Sequence, residues 1–330
     1  MVIPVISLER GGGTRFLQEV GNGLCDRGHD IQYVIVAGKR VEFSLRGKVT
    51  FVPRLVPEYM PVGDLVLPNF YATVYASLSG RAMPARICLS YEPLFVEDKA
   101  GAAETYRIPM PIATISGWLQ GILAERAGRR SIVINPGIDH RTFYPIARER
   151  LKATVLCIGR PVEQGYGFKG YPHFAQAMSL VRARRPDVHV IVASPELRHH
   201  GLPFPATLVA SPADSGLAEL FRQVTVFVFP SIFEGFGLPP LEAMACGAPV
   251  VTTACGGVSD FARHEENCLM TVPGDIGQLA EAVLRLLGDP PLCRRLSAAA
   301  VECARPWTWA RTVEQTERFL ASILRGECII

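Results

Sequence analysis

Apolar residues along the chain fall into short runs separated by longer amphipathic stretches. Residues 224–229 form an unbroken apolar run rich in Val and Phe, the pattern of a strand buried on both faces. Pro230 ends it, Gly235 and Gly237 follow in a loop, and Pro239-Pro240 preset a helix start over Leu241 to Cys246. Gly247-Ala248-Pro249 stops that helix, and Val250-Val251-Thr252-Thr253 reads as the next strand. The N-terminal region repeats the scheme. Residues 2–8 read as a strand, Glu9-Arg10-Gly11-Gly12-Gly13-Thr14 as a glycine-rich turn, and residues 15–27 as a helix with Phe16, Leu17, Val20 and Leu24 on one face. Gly28 closes that helix and residues 31–37 form the second strand. Further short strands are expected at residues 49–52, 65–67, 85–89, 112–115, 132–134, 154–158, 188–193 and 208–210. Helices are expected at 71–78, from 171, at 276–287, onward through 300, and at 313–324. Strands alternating with helices predict an α/β fold with parallel sheets, whose ligands gather at the carboxyl ends of the strands.

Length changes this picture: 330 residues suit two domains. With 48% hydrophobic and 20% charged residues the chain buries a sizeable core and is not disordered. A net charge of +3 argues against nucleic acid as a partner but leaves room for an anionic substrate or a light touch on a membrane surface. The nine cysteines are scattered without a C-x-x-C pair, which favours a reduced, cytoplasmic protein. The N-terminal apolar run is too short for a signal peptide, and no stretch approaches a membrane span. Neither an internal repeat nor a low-complexity tract is present.

Two sites invite chemistry. The glycine-rich first turn suggests a dinucleotide, but Phe16 stands where the third glycine belongs, and the second strand ends in Ala37-Gly38-Lys39-Arg40 without an acidic residue. Lys39 or Arg40 would suit only a 2′-phosphate, which keeps an NADP-dependent oxidoreductase as an alternative. The stronger site is the loop after residue 229. Its helix start suits phosphate, yet Glu234 and Glu242 flank it with seven residues between them. Carboxylates beside a phosphate repel it. The conflict disappears if they accept hydrogen bonds from hydroxyls while cations elsewhere hold the phosphates. A sugar joined to a nucleoside diphosphate has that pattern.

The run Glu234-Gly235-Phe236-Gly237-Leu238-Pro239-Pro240-Leu241-Glu242-Ala243-Met244-Ala245-Cys246-Gly247 resembles the donor-site motif of retaining GT-B glycosyltransferases, specifically glycosyltransferase family 4. The resemblance implies two Rossmann-like domains facing each other across a cleft. An N-terminal acceptor domain would span 1–146 plus a C-terminal helix within 307–330, and a donor domain 147–306, with residues 140–152 as linker. It implies that Glu234 contacts the donor sugar, that Glu242 contacts the ribose, and that the amides of Gly235, Phe236, Gly237 and Leu238 bind the diphosphate. Gly12 and Gly13 would allow close approach from the other side. The resemblance further implies that Arg160 and Lys169 clamp the leaving diphosphate, doing the work of a metal. No D-x-D pair is present to hold one, so no metal or other cofactor is expected. His199-His200 lack ligand spacing and are read as surface residues. The strand ends Ser194-Pro195-Glu196 and Ser211-Pro212-Ala213-Asp214 would line the base pocket through backbone contacts, leaving the base unreadable. Cys255-Gly256-Gly257-Val258 matches another family loop.

The His that many members place after the strand at 85–89 is missing here. Tyr91-Glu92-Pro93-Leu94-Phe95 stands there instead, similar to a rhamnosyltransferase-like subset of surface-polysaccharide enzymes. Glu92 is a candidate contact for acceptor or sugar, or a strand-end surface residue. Ser116 is a ligand contact or a helix cap. The expected partners are a nucleoside-diphosphate sugar and a glycan, lipid-linked or small-molecule acceptor, with peripheral contact at the inner face of the membrane left open. A non-catalytic nucleotide-sugar-binding subunit is a second alternative. Sugar, base, acceptor and oligomeric state are not readable.

Overall fold

The computed structural model describes the chain except residues 161, 163, 164, 195–201, 211 and 328–330. The calls made on Pro195, Glu196, His199, His200 and Ser211 lie outside the described residues. The chain divides into two compact units, Met1–Gly137 with Trp307–Ile330, and Ile138–Pro306. The helices, in chain order, are α1 (Gly12–Asp26), α2 (Tyr71–Val74), α3 (Lys99–Glu104), α4 (Gly117–Ala127), α5 (Tyr171–Arg184), α6 (Asp214–Gln223), α7 (Leu238–Ala245), α8 (Ile276–Gly288), α9 (Pro290–Ala304) and α10 (Trp309–Leu324).

The first unit holds strands β1 (Val2–Val5), β2 (Gln32–Val36), β3 (Lys48–Val52), β4 (Leu65–Val66), β5 (Met83–Pro84), β6 (Arg86–Cys88), β7 (Ile112–Thr114) and β8 (Ile132–Val133). Five of them pair in the order β3-β2-β1-β4-β5 and three in the order β6-β7-β8, all parallel. The Ala85 amide donates to the Val66 carbonyl and the Ile87 amide to Pro68, so β5 and β6 run past β4 as one line of chain. α1 forms as its periodicity predicts and buries Phe16, Leu17, Val20 and Leu24. α10 packs on α1: Val313 lies where a side chain at Gly23 would stand, and Trp309 meets Phe16 edge-on. Thr312 Oγ1 donates to the Asn135 carbonyl at 2.8 Å.

The second unit holds β9 (Thr154–Ile158), β10 (His189–Ser194), β11 (Thr207–Ala210), β12 (Val226–Phe229), β13 (Val250–Thr253) and β14 (Leu269–Thr271), in the sheet order β11-β10-β9-β12-β13-β14. All its pairs are parallel. Val155, Cys157, Val190, Val192, Val226 and Val228 share one core with Phe174 and Met178 of α5 and Val283 of α8. The order reverses between β9 and its neighbours β10 and β12, and the loops after β9 and β12 therefore emerge side by side.

The division falls at Gly137–Ile138, earlier than residue 146. The polar stretch after 138 docks onto the second unit through hidden arginines. Arg222 donates to the carbonyls of Tyr144 and Thr142, and Arg150 donates to those of Phe221, Arg222, Val224 and Gly247. Arg150 thus satisfies carbonyls at the ends of α6 and α7, where a cation also complements the helix dipole.

Candidate functional site

β12 is wholly buried and ends at Pro230. The chain then rises through Ser231 to Gly237, which takes φ +95 and starts α7; a Cβ there would come within 2.6 Å of Val258 Cγ2. Gly257 has no room for a side chain either, since its Cβ would lie 2.2 Å from the Gly235 carbonyl oxygen. The Glu234 amide donates to the Cys255 carbonyl at 2.9 Å, and the Gly257 amide donates back to Glu234 at 3.0 Å. Residues 255–257 therefore form a tight floor under Glu234, Gly235 and Phe236. α7 opens Leu-Pro-Pro, and proline carries no N–H. The helix start thus offers the amides of Gly237 and Leu238 rather than a full set of orphan donors. Glu242 lies one turn into α7 beyond Leu238, half-buried.

The loop after β9 docks onto this one. Gly170 takes φ +71 at the start of α5, and a Cβ would sit 1.8 Å from the Pro230 carbonyl oxygen. The Ile232 amide donates to the Phe168 carbonyl at 2.7 Å, and the rings of Phe168 and Phe233 stack at 4.7 Å. This contact carries Lys169 to Glu234: Nζ donates to both carboxylate oxygens, at 2.8 and 2.9 Å. Ser231 Oγ donates to Glu234 Oε1 at 2.8 Å. Thr253 Oγ1 in turn donates to the Ser231 carbonyl and braces the strand end. Glu234 is 8% exposed, so the pair lies largely out of water, where it is oriented more firmly than a surface ion pair. Burial, then the neighbouring Glu234 carboxylate, pushes the Cys255 thiol up to about 12. Arg160, half-buried after β9, places its guanidinium over the Tyr166 ring at 5.5 Å.

One unit thus gathers Lys169, Glu234, Ser231 and the loop 235–238. The ammonium can neutralise an anion, the carboxylate can accept from hydroxyls, and the amides at the α7 start can donate to phosphate oxygens. Among the described residues no three of His, Cys, Asp and Glu converge as metal ligands.

The other candidates lie in the first unit. Gly12 is exposed in the first turn of α1, and Gly13 presses against Leu89, whose Cδ1 would lie 3.2 Å from a Cβ. Glu92 is not a surface group. It is 1% exposed and its oxygens bind Arg86 NH2 at 3.1 and 3.2 Å and the Tyr106 hydroxyl. The reason is Arg86, fully buried in β6, which needs a carboxylate partner. Ser116 is buried and caps α4, its Oγ accepting from the Leu119 amide at 3.1 Å. Sequence reasoning missed Ser231, the floor at Gly257 and the Arg86–Glu92 pair. An arginine inside the apolar run Ala85-Arg86-Ile87-Cys88 was the available signal for the last.

Residues 152–289 match the family described as Glycosyl transferases group 1. The lipopolysaccharide core biosynthesis mannosyltransferase of Rhizobium meliloti is 32% identical over 216 residues, 58% of this chain and 59% of that protein. The D-inositol 3-phosphate glycosyltransferase of Mycobacterium tuberculosis is 32% identical over 215 residues, 59% of this chain and 43% of that one. The matched regions thus span about half the length of these relatives. In solved structures, sucrose-phosphate synthase from Thermosynechococcus elongatus superposes with a TM-score of 0.80 at 18% identity, covering 98% of this chain and 99% of that one. HepE from Anabaena, solved in complex with UDP-glucose, gives 0.80 at 17% identity, covering 97% and 99%. The chain has the GT-B fold, and its residues 152–289 belong to the group 1 glycosyl transferases.

Proposed function

We propose that the protein is a retaining, metal-independent glycosyltransferase. It would move a sugar from a nucleoside-diphosphate sugar to a glycan, lipid-linked or small-molecule acceptor in surface-polysaccharide or glycoconjugate synthesis. The observation that carries this reading is the Lys169–Glu234 pair, fixed by the docking of two loops at the foot of the α7 start. The mannosyltransferase relative and the UDP-glucose complex of HepE support the substrate class.

In this reading Lys169 and Arg160 neutralise the charge that develops on the departing diphosphate, assisted by the Gly237 and Leu238 amides. Lys169 is already oriented by Glu234, so the reorganisation on binding is small. Glu234 accepts hydrogen bonds from sugar hydroxyls, Ser231 fixing its rotamer, and Glu242 holds the ribose. Among the described residues no protein nucleophile stands out, which favours attack from the face the diphosphate leaves. The two cations supply the neutralisation for which a divalent metal would otherwise be needed.

The non-catalytic reading gains one observation, the commitment of Glu92 and Ser116 to the structure of the first unit. Slow donor hydrolysis separates the two. Purified protein is incubated with UDP-glucose, GDP-mannose, dTDP-rhamnose and ADP-glucose, with and without EDTA, and the released sugar is followed by NMR. A catalyst releases sugar of retained anomeric configuration from one donor, unaffected by EDTA. Inverted product or dependence on metal contradicts the mechanism, and no release from any donor contradicts catalysis.

A further inference from the structure

Arg160 and Lys169 are separated by the eight residues 161–168. Two cations aimed at one diphosphate repel each other while the site is empty, and Lys169 alone has a carboxylate partner among the contacts described above. The intervening segment carries Glu163, outside the described residues, and the aromatic rings of Tyr166 and Phe168. Arg160 lies over Tyr166 at 5.5 Å from its ring centre. The Tyr166 and Phe168 rings are 6.3 Å apart, and Lys169 Nζ is 5.1 Å from the Phe168 ring. Phe168 stacks on Phe233, the neighbour of Glu234, with an interplanar angle of 12°. Three rings in a row thus link both cations to the Glu234 loop.

We propose that Tyr166 and Phe168 are positioning residues for the diphosphate, holding Arg160 and Lys169 in place through their ring faces. The proposal rests on the donor-site reading above. A ring attracts a cation through its quadrupole without cancelling its charge, so the cation stays available to an anion. Phe168 has a further duty: its carbonyl accepts from Ile232 and its ring joins the two loops. Tyr166 is therefore the cleaner position to test.

The experiment is calorimetric titration of UDP, GDP, dTDP and ADP into wild type, Tyr166→Leu, Tyr166→Phe and Phe168→Leu, each checked for folding by thermal melting. A cation–ring contact at a half-exposed site corresponds to an affinity change of about two- to fivefold. The leucine variants are expected to bind the responding diphosphate about that much more weakly, with Tyr166→Phe binding as wild type does. Leucine variants that match wild type overturn the proposal, as does a Tyr166→Phe variant as weak as Tyr166→Leu. Binding of none of the four diphosphates to wild type overturns the donor-site reading itself. Unchanged affinities in the variants overturn only the role of the rings.

Discussion

Single residues in this chain act mainly by being held. Lys169 and Glu234 come from one loop each, and the steric demands of Gly170 and Gly257 turn them into a fixed pair. The opposite case is Arg86, whose charge is wholly buried and serves Glu92, Thr105 and the Tyr106 ring. Removing one partner of such a pair leaves an uncompensated charge, at a cost of about 3–5 kcal/mol. Arg86→Met is therefore expected to lose about that much stability in urea unfolding, and the double variant with Glu92→Leu to recover much of it. A single variant within 1 kcal/mol of wild type, about the size of a surface pair, would show that the pair does not anchor the 88–106 segment.

At the scale of elements, the turn between β12 and α7 was legible because its message is local. Gly235, Gly237, Pro239 and Pro240 dictate a turn and a helix start whatever the rest of the chain does, and Glu234 and Glu242 flank it. Glu92 was not legible, because its burial depends on Arg86 and Tyr106, which reach it from the preceding β6 and from beyond α3. The division at Gly137–Ile138 was not legible for a similar reason. Residues 140–152 are polar and read as linker, yet Arg150 crosses to the carbonyl ends of α6 and α7. Hydrogen bonds from a charged donor are worth about 1.5–3 kcal/mol each, less the cost of the arginine's own burial. Arg150→Ala is expected to destabilise the second unit by about 2–4 kcal/mol, seen as a lower melting temperature of that unit. An unchanged melt would mean that this stretch is a free tether.

For the whole molecule, buried thiols set a pH limit. Burial pushes Cys88, Cys246, Cys255 and Cys268 up to about 12 from an ordinary value of 9.0, and raises Cys157 further. Between those values the unfolded chain releases protons that the folded chain keeps, so the folded state binds more protons and stability falls as pH rises. The contribution is complete below about pH 9 and is lost progressively above it, by about 1.4 kcal/mol per thiol per pH unit. Urea midpoints measured from pH 8 to pH 11 are expected to fall steeply above 9, and more gently in a Cys157→Ala, Cys268→Ala variant. A flat profile would contradict the burial of these thiols.

The central claim is that the second unit binds a nucleoside-diphosphate sugar with Glu242 on the ribose and Lys169 on the diphosphate. Calorimetric titration of UDP, GDP, dTDP, ADP and NADP into wild type, Glu242→Ala and Lys169→Ala tests it most directly. The account predicts that one diphosphate binds and that each substitution weakens it by about tenfold or more, the scale of one charge-assisted hydrogen bond removed. Binding of NADP alone, or diphosphate binding that neither substitution touches, would contradict it.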